Sequence, residues 1–288
     1  MYGLEGAVNV QGEEVKKLDI VANNNFINAI KASRSTCVMV SEENDDPILV
    51  QEDLAGQYTV VFDPLDGSSN IDCNISVGSI FGIYPKKSAD GVAGSIEDVL
   101  RPGNDLVAAG YCMYGSSTQM VLTTGNGVNV FTLDPSLGEF ILTMPNVRIP
   151  ETPKTIYSVN EGNAKYWHAP TTAFVEKVKN LEKPYSLRYV GSMVSDVHRT
   201  LLYGGVFLYP ADTKSLKGKL RLLYEGNPMS MIMEQAGGMS TTGTGRVMDI
   251  VPTSIHERTP IYCGCSRDVE MIIAEFAQSE PDAKRAKA

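Results

Sequence analysis

The chain is short of the groups on which most nucleophilic and zinc chemistry depends. It has three histidines in 288 residues, His168, His198 and His256, and no two of them have the i, i+4 spacing with which a helix presents a zinc pair. No Gly-x-Ser-x-Gly elbow occurs, so Ser68, Ser69, Ser116 and Ser117 read as hydrogen-bond donors or turn residues, not nucleophiles. The five cysteines, Cys37, Cys73, Cys112, Cys263 and Cys265, are odd in number, and several lie in apolar strand candidates. With no secretory leader read ahead of them, reduced thiols in the cytoplasm are expected. No apolar run approaches the ~20 residues that span a bilayer, so no membrane partner is expected. Excess positive charge is missing too. A net charge of −9 and a pI near 4.9 oppose nucleic-acid binding, and the basic residues of 284–288 read as a solvated tail. No internal repeat or low-complexity run is present.

What is there is a pair of carboxylates around a turn, in Phe62-Asp63-Pro64-Leu65-Asp66-Gly67-Ser68-Ser69-Asn70. The apolar run 58–62 reads as a buried strand, which places both acids at its carboxyl end, the edge where open α/β sheets bind ligands. Pro64 holds a bend and Gly67 permits the reversal that follows, so Asp63 and Asp66 can face one point. Two such carboxylates repel unless a cation lies between them, and a hard divalent ion is the natural partner. The amides of Gly67, Ser68 and Ser69, with two hydroxyls, offer donors to an anion. Metal beside phosphate is the resulting expectation. An EF-hand is excluded because Leu65 and Gly67 stand where it needs oxygen ligands. A covalent aspartyl-phosphate is disfavoured, since its Asp pair would be spaced by two and this one is spaced by three. A solvated Asp-Pro turn is the bland alternative, and only further acids weigh against it.

Those acids exist. The strand candidate 35–40 ends in Ser41-Glu42-Glu43. The apolar stretch 220–224, read as a strand, ends at Glu225, followed by Asn227-Pro228, read as the N-cap and first turn of a helix through Gln235. Val15, Leu18, Ala22, Phe26, Ala29 and Ile30 fit one helical face with Asp19 at its edge. Three divalent ions would roughly balance Asp19, Glu42, Glu43, Asp63, Asp66 and Glu225, leaving Lys219 and Arg221 to attract phosphate against an acidic body. By default His198 is an interior histidine, the Cys263-Gly264-Cys265 pair is packing, and Tyr185, Tyr189, Tyr203 and Tyr209 are core or interface aromatics.

The strings VKKLD, VSEE, FDPLDGSSNID, SVGSIFGIY, DLVAAGY, LDPSLGEFIL, RYVGSMVSDVHRTLLYGGVFLYP and KGKLRLLYEGNPM together resemble class I fructose-1,6-bisphosphatase, over about residues 2–269. The Asp-Pro-Leu-Asp-Gly-Ser core is shared with the wider lithium-sensitive sugar and inositol phosphatases, and the downstream strings specify the sugar bisphosphatase. The resemblance implies an α/β (α+β) fold with αβαβα layers, in two domains with the active site between them. Residues 1–144 would bind metal and residues 145–288 sugar phosphate, with a seam in 144–154.

It implies hydrolysis of the 1-phosphate of fructose 1,6-bisphosphate by a metal-activated water, in gluconeogenesis, with two to three Mg2+ ions per site, Mn2+ or Zn2+ being possible substitutes. Glu42, Glu43, Asp63, Asp66, Glu225 and the Leu65 carbonyl would hold metal. Glu43 and Asp19 would activate water, with Glu13 at the family's acidic position near it. Gly67, Ser68 and Ser69 would cradle the 1-phosphate near Arg221, Lys219 would touch the sugar, and Asn160, Tyr189 and Tyr209 the 6-phosphate. Arg188 would reach a neighbouring subunit's site in a homotetramer. The alternatives are sedoheptulose-1,7-bisphosphatase, a related sugar or inositol phosphatase, or a non-catalytic sugar-phosphate-binding oligomer.

Departures from the family pattern carry their own expectations. The sequence opens without the N-terminal helical segment that supplies much of the family's AMP site, and Gln57 and Pro85 replace basic residues of that site while Tyr58 matches. AMP inhibition is therefore expected to be weak or absent. Asn163 stands where a 6-phosphate tyrosine is expected, with Tyr166 as the nearest replacement. No cysteine occurs in 85–104, so no thiol switch is expected there.

Overall fold

The computed structural model describes residues 4–8, 14–89 and 93–285. Strands β1 (Leu4–Val8) and β2 (Glu14–Lys16) form a small antiparallel pair ahead of helix α1 (Lys17–Ser33). Then follow β3 (Thr36–Ser41), β4 (Ile48–Leu49), β5 (Tyr58–Asp66), β6 (Val77–Pro85), β7 (Ala108–Tyr114), β8 (Thr118–Thr123), β9 (Val128–Asp134) and β10 (Glu139–Val147). These eight make one sheet in the order β10-β9-β8-β7-β6-β5-β3-β4. Only β3 and β5 pair in parallel; the rest is antiparallel. β9 and β10 form a hairpin, and β10 runs past residue 144 to Val147, into the expected seam.

The remainder alternates. β11 (Ile156–Ser158) leads to α2 (Ala169–Lys179), β12 (Ser186–Leu187), α3 (Met193–Tyr203) and β13 (Val206–Tyr209). β14 (Leu220–Arg221), a π-helical turn Leu222–Gly226 and α4 (Asn227–Gln235) come next. β15 (Met239–Thr241), β16 (Arg258–Thr259), β17 (Ile261–Gly264) and α5 (Ser266–Arg285) complete the chain. A second sheet has the order β12-β11-β13-β17-β15, and β14 pairs with β16.

Helices α3 and α4 pack against both large sheets, α1 lies on the far side of the first, and α2 and α5 lie together, with α5 on the far side of the second. The layers therefore run αβαβα, as expected. The filling is apolar where two layers meet. Ile80, Tyr111, Val121, Val194, Leu201, Leu223, Ile232 and Met233 are fully buried between the sheets, and burying such side chains contributes about 1.5–3 kcal/mol each. Strand β5 explains itself. Val61 and Phe62 are both completely buried, so a continuous apolar run, not an alternating one, is what a strand covered on both faces requires.

Two expectations are corrected. Leu220–Tyr224 is not one strand, because the chain leaves the extended state after Arg221 and winds through the π turn directly into α4, with Asn227 as the first residue of α4 instead of its N-cap. Helix α1 begins at Lys17, so Val15 belongs to β2. Its deepest residues are Asp19 and Asn23, one turn apart and both polar, while Ala29 is exposed.

Candidate active site

In a flat strand, residues three apart point to opposite faces. Asp63 and Asp66 escape this because the pairing of β5 with β6 slips between them: Asp63 faces Ile80 and Asp66 faces Gly78. Pro64, which has no N–H to give the ladder, occupies that bulge. Its carbonyl is held by Ser79 Oγ at 2.8 Å, and Leu65 N–H donates to Asp63 Oδ1 at 2.9 Å. The bulge turns both acids to one side. Gly67 follows with φ 78°, a left-handed conformation that favours glycine, and opens a 3-10 turn over Ser68–Cys73.

Glu225 enters from the other direction. The π turn swings it inward, where it accepts a hydrogen bond from Arg221 N–H. Asp63, Asp66 and Glu225 each present a carboxylate oxygen within 4.8 Å of the others. All three are buried, at 2%, 7% and 3% exposure. Burial, then repulsion from Glu42 and from each other, pushes the Asp63 carboxyl well up. Burial raises Asp66 to about 7, against a hydrogen bond from Val194 N–H at 3.1 Å, and burial raises Glu225 as well. A divalent cation fits this donor set: hard oxygens converge, and a positive ion would remove the repulsion that now favours protons.

The cavity above the triplet measures about 550 Å³. Its wall includes Asp19, Glu42, Glu43, Asp63, Leu65, Asp66, Gly67, Ser68, Ser69, Tyr189, Tyr209, Lys219, Arg221 and Glu225. Sequence positions from 19 to 225 thus meet at one place. Glu42 N–H extends the β3–β5 ladder by bonding Phe62 O at 3.2 Å, which sets Glu42 beside Asp63. Arg221, expected at a phosphate, here ion-pairs with Glu42 at 2.9 Å, as opposite charges do when both are shielded from water. Asp19 accepts from Lys16 N–H at 2.8 Å.

A second, narrower pocket adjoins the first and shares Tyr189, Tyr209 and Lys219 with it. Asn160, Asn163, Trp167, Asp212 and Ser215 complete its polar and aromatic wall. Asn160 also caps its own turn, its Oδ1 accepting Gly162 N–H at 3.0 Å. Burial raises the Tyr189 hydroxyl, with smaller contributions from Tyr209 and Asp196. Two expected residues stand apart. Arg188 is exposed and lines neither pocket, and Glu13 lies outside the described residues.

Sequence reasoning passed over Lys16, Gly191, Met193, Asp196 and Phe207, which also line the larger cavity. Asp196 is wholly buried and accepts from Val190 and Gly191 N–H and from Ser158 Oγ, each at 3.0 Å. It holds the segment carrying Tyr189. The signal was available, since an acid one turn into a helix that opens after Gly191-Ser192 bonds the amides leading into it.

Comparison with known proteins agrees with this geometry. The model of the fructose-1-6-bisphosphatase N-terminal domain matches residues 1–145, and that of the C-terminal domain matches residues 149–277. The chain is similar to the cytosolic fructose-1,6-bisphosphatase of Oryza coarctata, 62% identical over 280 residues, 96% of this chain and 80% of the relative. It is 59% identical to that of Spinacia oleracea over 286 residues, covering 98% and 83% of the two chains. Its fold superposes on the crystal structure of Leishmania major fructose-1,6-bisphosphatase in holo form with a TM-score of 0.91 and 47% identity, over 96% of this chain and 86% of the other. With family models covering both sheets and these relatives along nearly its whole length, the chain belongs to the fructose-1,6-bisphosphatase family.

Proposed function

We propose that this chain is a cytosolic hydrolase of gluconeogenesis that removes the 1-phosphate of fructose 1,6-bisphosphate, releasing fructose 6-phosphate and inorganic phosphate. The observation that carries the reading is the meeting of Asp63, Asp66 and Glu225 within 4.8 Å, in a cavity that also holds the Gly67–Ser69 turn and runs into a second polar pocket. One end suits a phosphate about to react. The other suits a phosphate that only anchors.

The family acts on a sugar bisphosphate and depends on metal. Asp63, Asp66, Glu225, Glu42, Glu43 and the Leu65 carbonyl would hold the ions, two to three of Mg2+, with Mn2+ or Zn2+ as substitutes. Bound there, such ions lower the pKa of water and neutralise charge on phosphoryl oxygens. The chain's own groups do the remaining work. Gly67, Ser68 and Ser69 donate to the 1-phosphate, which draws Arg221 away from Glu42. Asp19 and Glu43 accept the proton of the attacking water, with Glu13 in the same acidic group. Lys219 touches the sugar, and Asn160, Tyr189 and Tyr209 grip the 6-phosphate. Arg188, exposed on its own subunit, extends to a neighbour in a homotetramer. Residues 1–144 supply the metal half, apart from Glu225, and residues 145–288 the sugar-phosphate half.

Phosphate release measured side by side on fructose 1,6-bisphosphate, sedoheptulose 1,7-bisphosphate and inositol phosphate with magnesium tests this. The fructose ester should be hydrolysed fastest. Faster release from either rival would replace the substrate, and no release from any would favour a binding protein. AMP should inhibit weakly or not at all, because Gln57 and Pro85 stand where the family's AMP site carries basic residues; inhibition at micromolar AMP would overturn that.

A further inference from the structure

The acids of the cavity sit on segments far apart in sequence, and a chain of hydrogen bonds outside the cavity joins two of those segments. Tyr224 Oη lies 2.7 Å from His256 Nδ1, and His256 Nε2 lies 3.0 Å from the carbonyl oxygen of Asn44. Tyr224 precedes Glu225, and Asn44 follows Glu43. The direction of each bond follows from chemistry. A carbonyl only accepts, so Nε2 carries the hydrogen of the neutral ring, and Nδ1 is left to accept from the Tyr224 hydroxyl.

Asn44 is gripped from its other side as well. Its Oδ1 accepts from Asn23 Nδ2 at 2.9 Å, and Asn23 Oδ1 accepts from Ser41 Oγ at 2.7 Å. Ser41 Oγ in turn accepts Glu43 N–H at 3.2 Å. The turn that carries Glu42 and Glu43 is therefore clamped between helix α1 and His256. Neither Tyr224 nor His256 lines the cavity, so they touch no substrate. Packing alone would be met by apolar rings of the same shape, since the two rings meet edge to face at 5.8 Å. Yet both ring nitrogens of His256 find partners.

We infer that Tyr224 and His256 form a strut that sets the spacing between the Glu42–Glu43 turn and Glu225, and so governs how tightly the site holds a divalent cation. They are positioning residues, and the inference rests on the metal reading above. The test is equilibrium binding of Mn2+ to the whole enzyme, read as loss of the free-ion electron paramagnetic resonance signal, alongside melting temperature and the KM for fructose 1,6-bisphosphate at saturating metal. Removing a partner behind a metal ligand typically costs 10–100-fold in affinity. His256→Phe should weaken Mn2+ binding about 10-fold while leaving that KM unchanged. His256→Gln, whose amide can still reach Asn44, should recover most of the loss. His256→Asn, which reaches only Tyr224, should not. Tyr224→Phe removes one hydroxyl from an otherwise intact ring pair and should weaken binding about 3-fold, a fraction of the full loss, so the strut is tested even if His256→Phe fails to fold. Unchanged Mn2+ affinity in Tyr224→Phe, or Gln and Phe equally weak at position 256, would overturn the strut. A parent enzyme that binds no Mn2+ would overturn the metal reading and the strut with it.

Discussion

The two joined pockets solve opposite problems. The floor of the larger one gathers carboxylates whose burial, and then their repulsion, raises their pKa, a frustrated arrangement that protons or a cation relieve. The smaller one is walled by Asn160, Asn163, Trp167, Tyr189 and Tyr209 together with one acid and one base, Asp212 and Lys219, so it offers hydrogen bonds and rings without a build-up of like charge. The proposed function puts chemistry where the protein is electrostatically uncomfortable, and recognition where it is less so. Buried polar strain is the expected mark of a reacting centre.

The sharpest way to break this contrast is Asp66→Asn. If the floor is the reacting end, kcat for phosphate release should fall about 1000-fold or more, as when a unit of catalytic machinery is disabled, while the metal-free protein melts no lower, since a raised carboxyl has been neutralised. Near-normal turnover would remove the metal assignment. Arg221→Met should come next, with kcat/KM down about 100-fold, the scale of losing one donor to transition-state charge. Its loss should exceed that of any single change in the smaller pocket. Equal losses at both ends would erase the distinction.

A pH series sharpens the electrostatic half. The Asp66 carboxyl moves from its ordinary 3.8 to about 7 in the folded, metal-free protein. Its folded pKa is raised, so its contribution to stability is full below about 3.8 and is lost as pH rises through about 7. Melting temperature without metal should therefore decline across that window, and magnesium should reverse the decline at its upper end. A flat metal-free profile would contradict the strain. The smallest effect is expected in the smaller pocket. Asn163→Tyr adds a ring and a hydroxyl facing the second pocket and should lower the KM for the bisphosphate about 3-fold, on the scale of a single net hydrogen bond, with kcat unchanged. A change in kcat instead would mean that the two ends are not separable.

Some of this was legible in the residues alone. Acids at the ends of apolar runs marked Glu42, Glu43, Asp63 and Asp66, because a buried strand must surface at its end and polar groups collect there. The π turn at Glu225 was not legible. Leu222, Leu223 and Tyr224 are apolar enough for a strand, and only their burial between two sheets decides that they wind. The depth of Asp19 and Asn23 was hidden for a like reason: the apolar side of α1 does meet the sheet, with Phe26 stacked on Phe62, yet the fold also buries polar groups of the helix, where Asn23 braces Ser41 and Asn44.

Local chemistry along the chain thus settled which residue types were available, a turn rich in amides, acids at strand ends and apolar runs of strand or helix period, because each depends on neighbours a few positions away. Convergence belonged to the tertiary fold. The slip in pairing at Pro64, the inward turn at Glu225 and the tie from Tyr224 through His256 to Asn44 join residues tens to hundreds of positions apart. No local preference encodes such distances; they follow from how sheets and helices pack once the apolar core is closed.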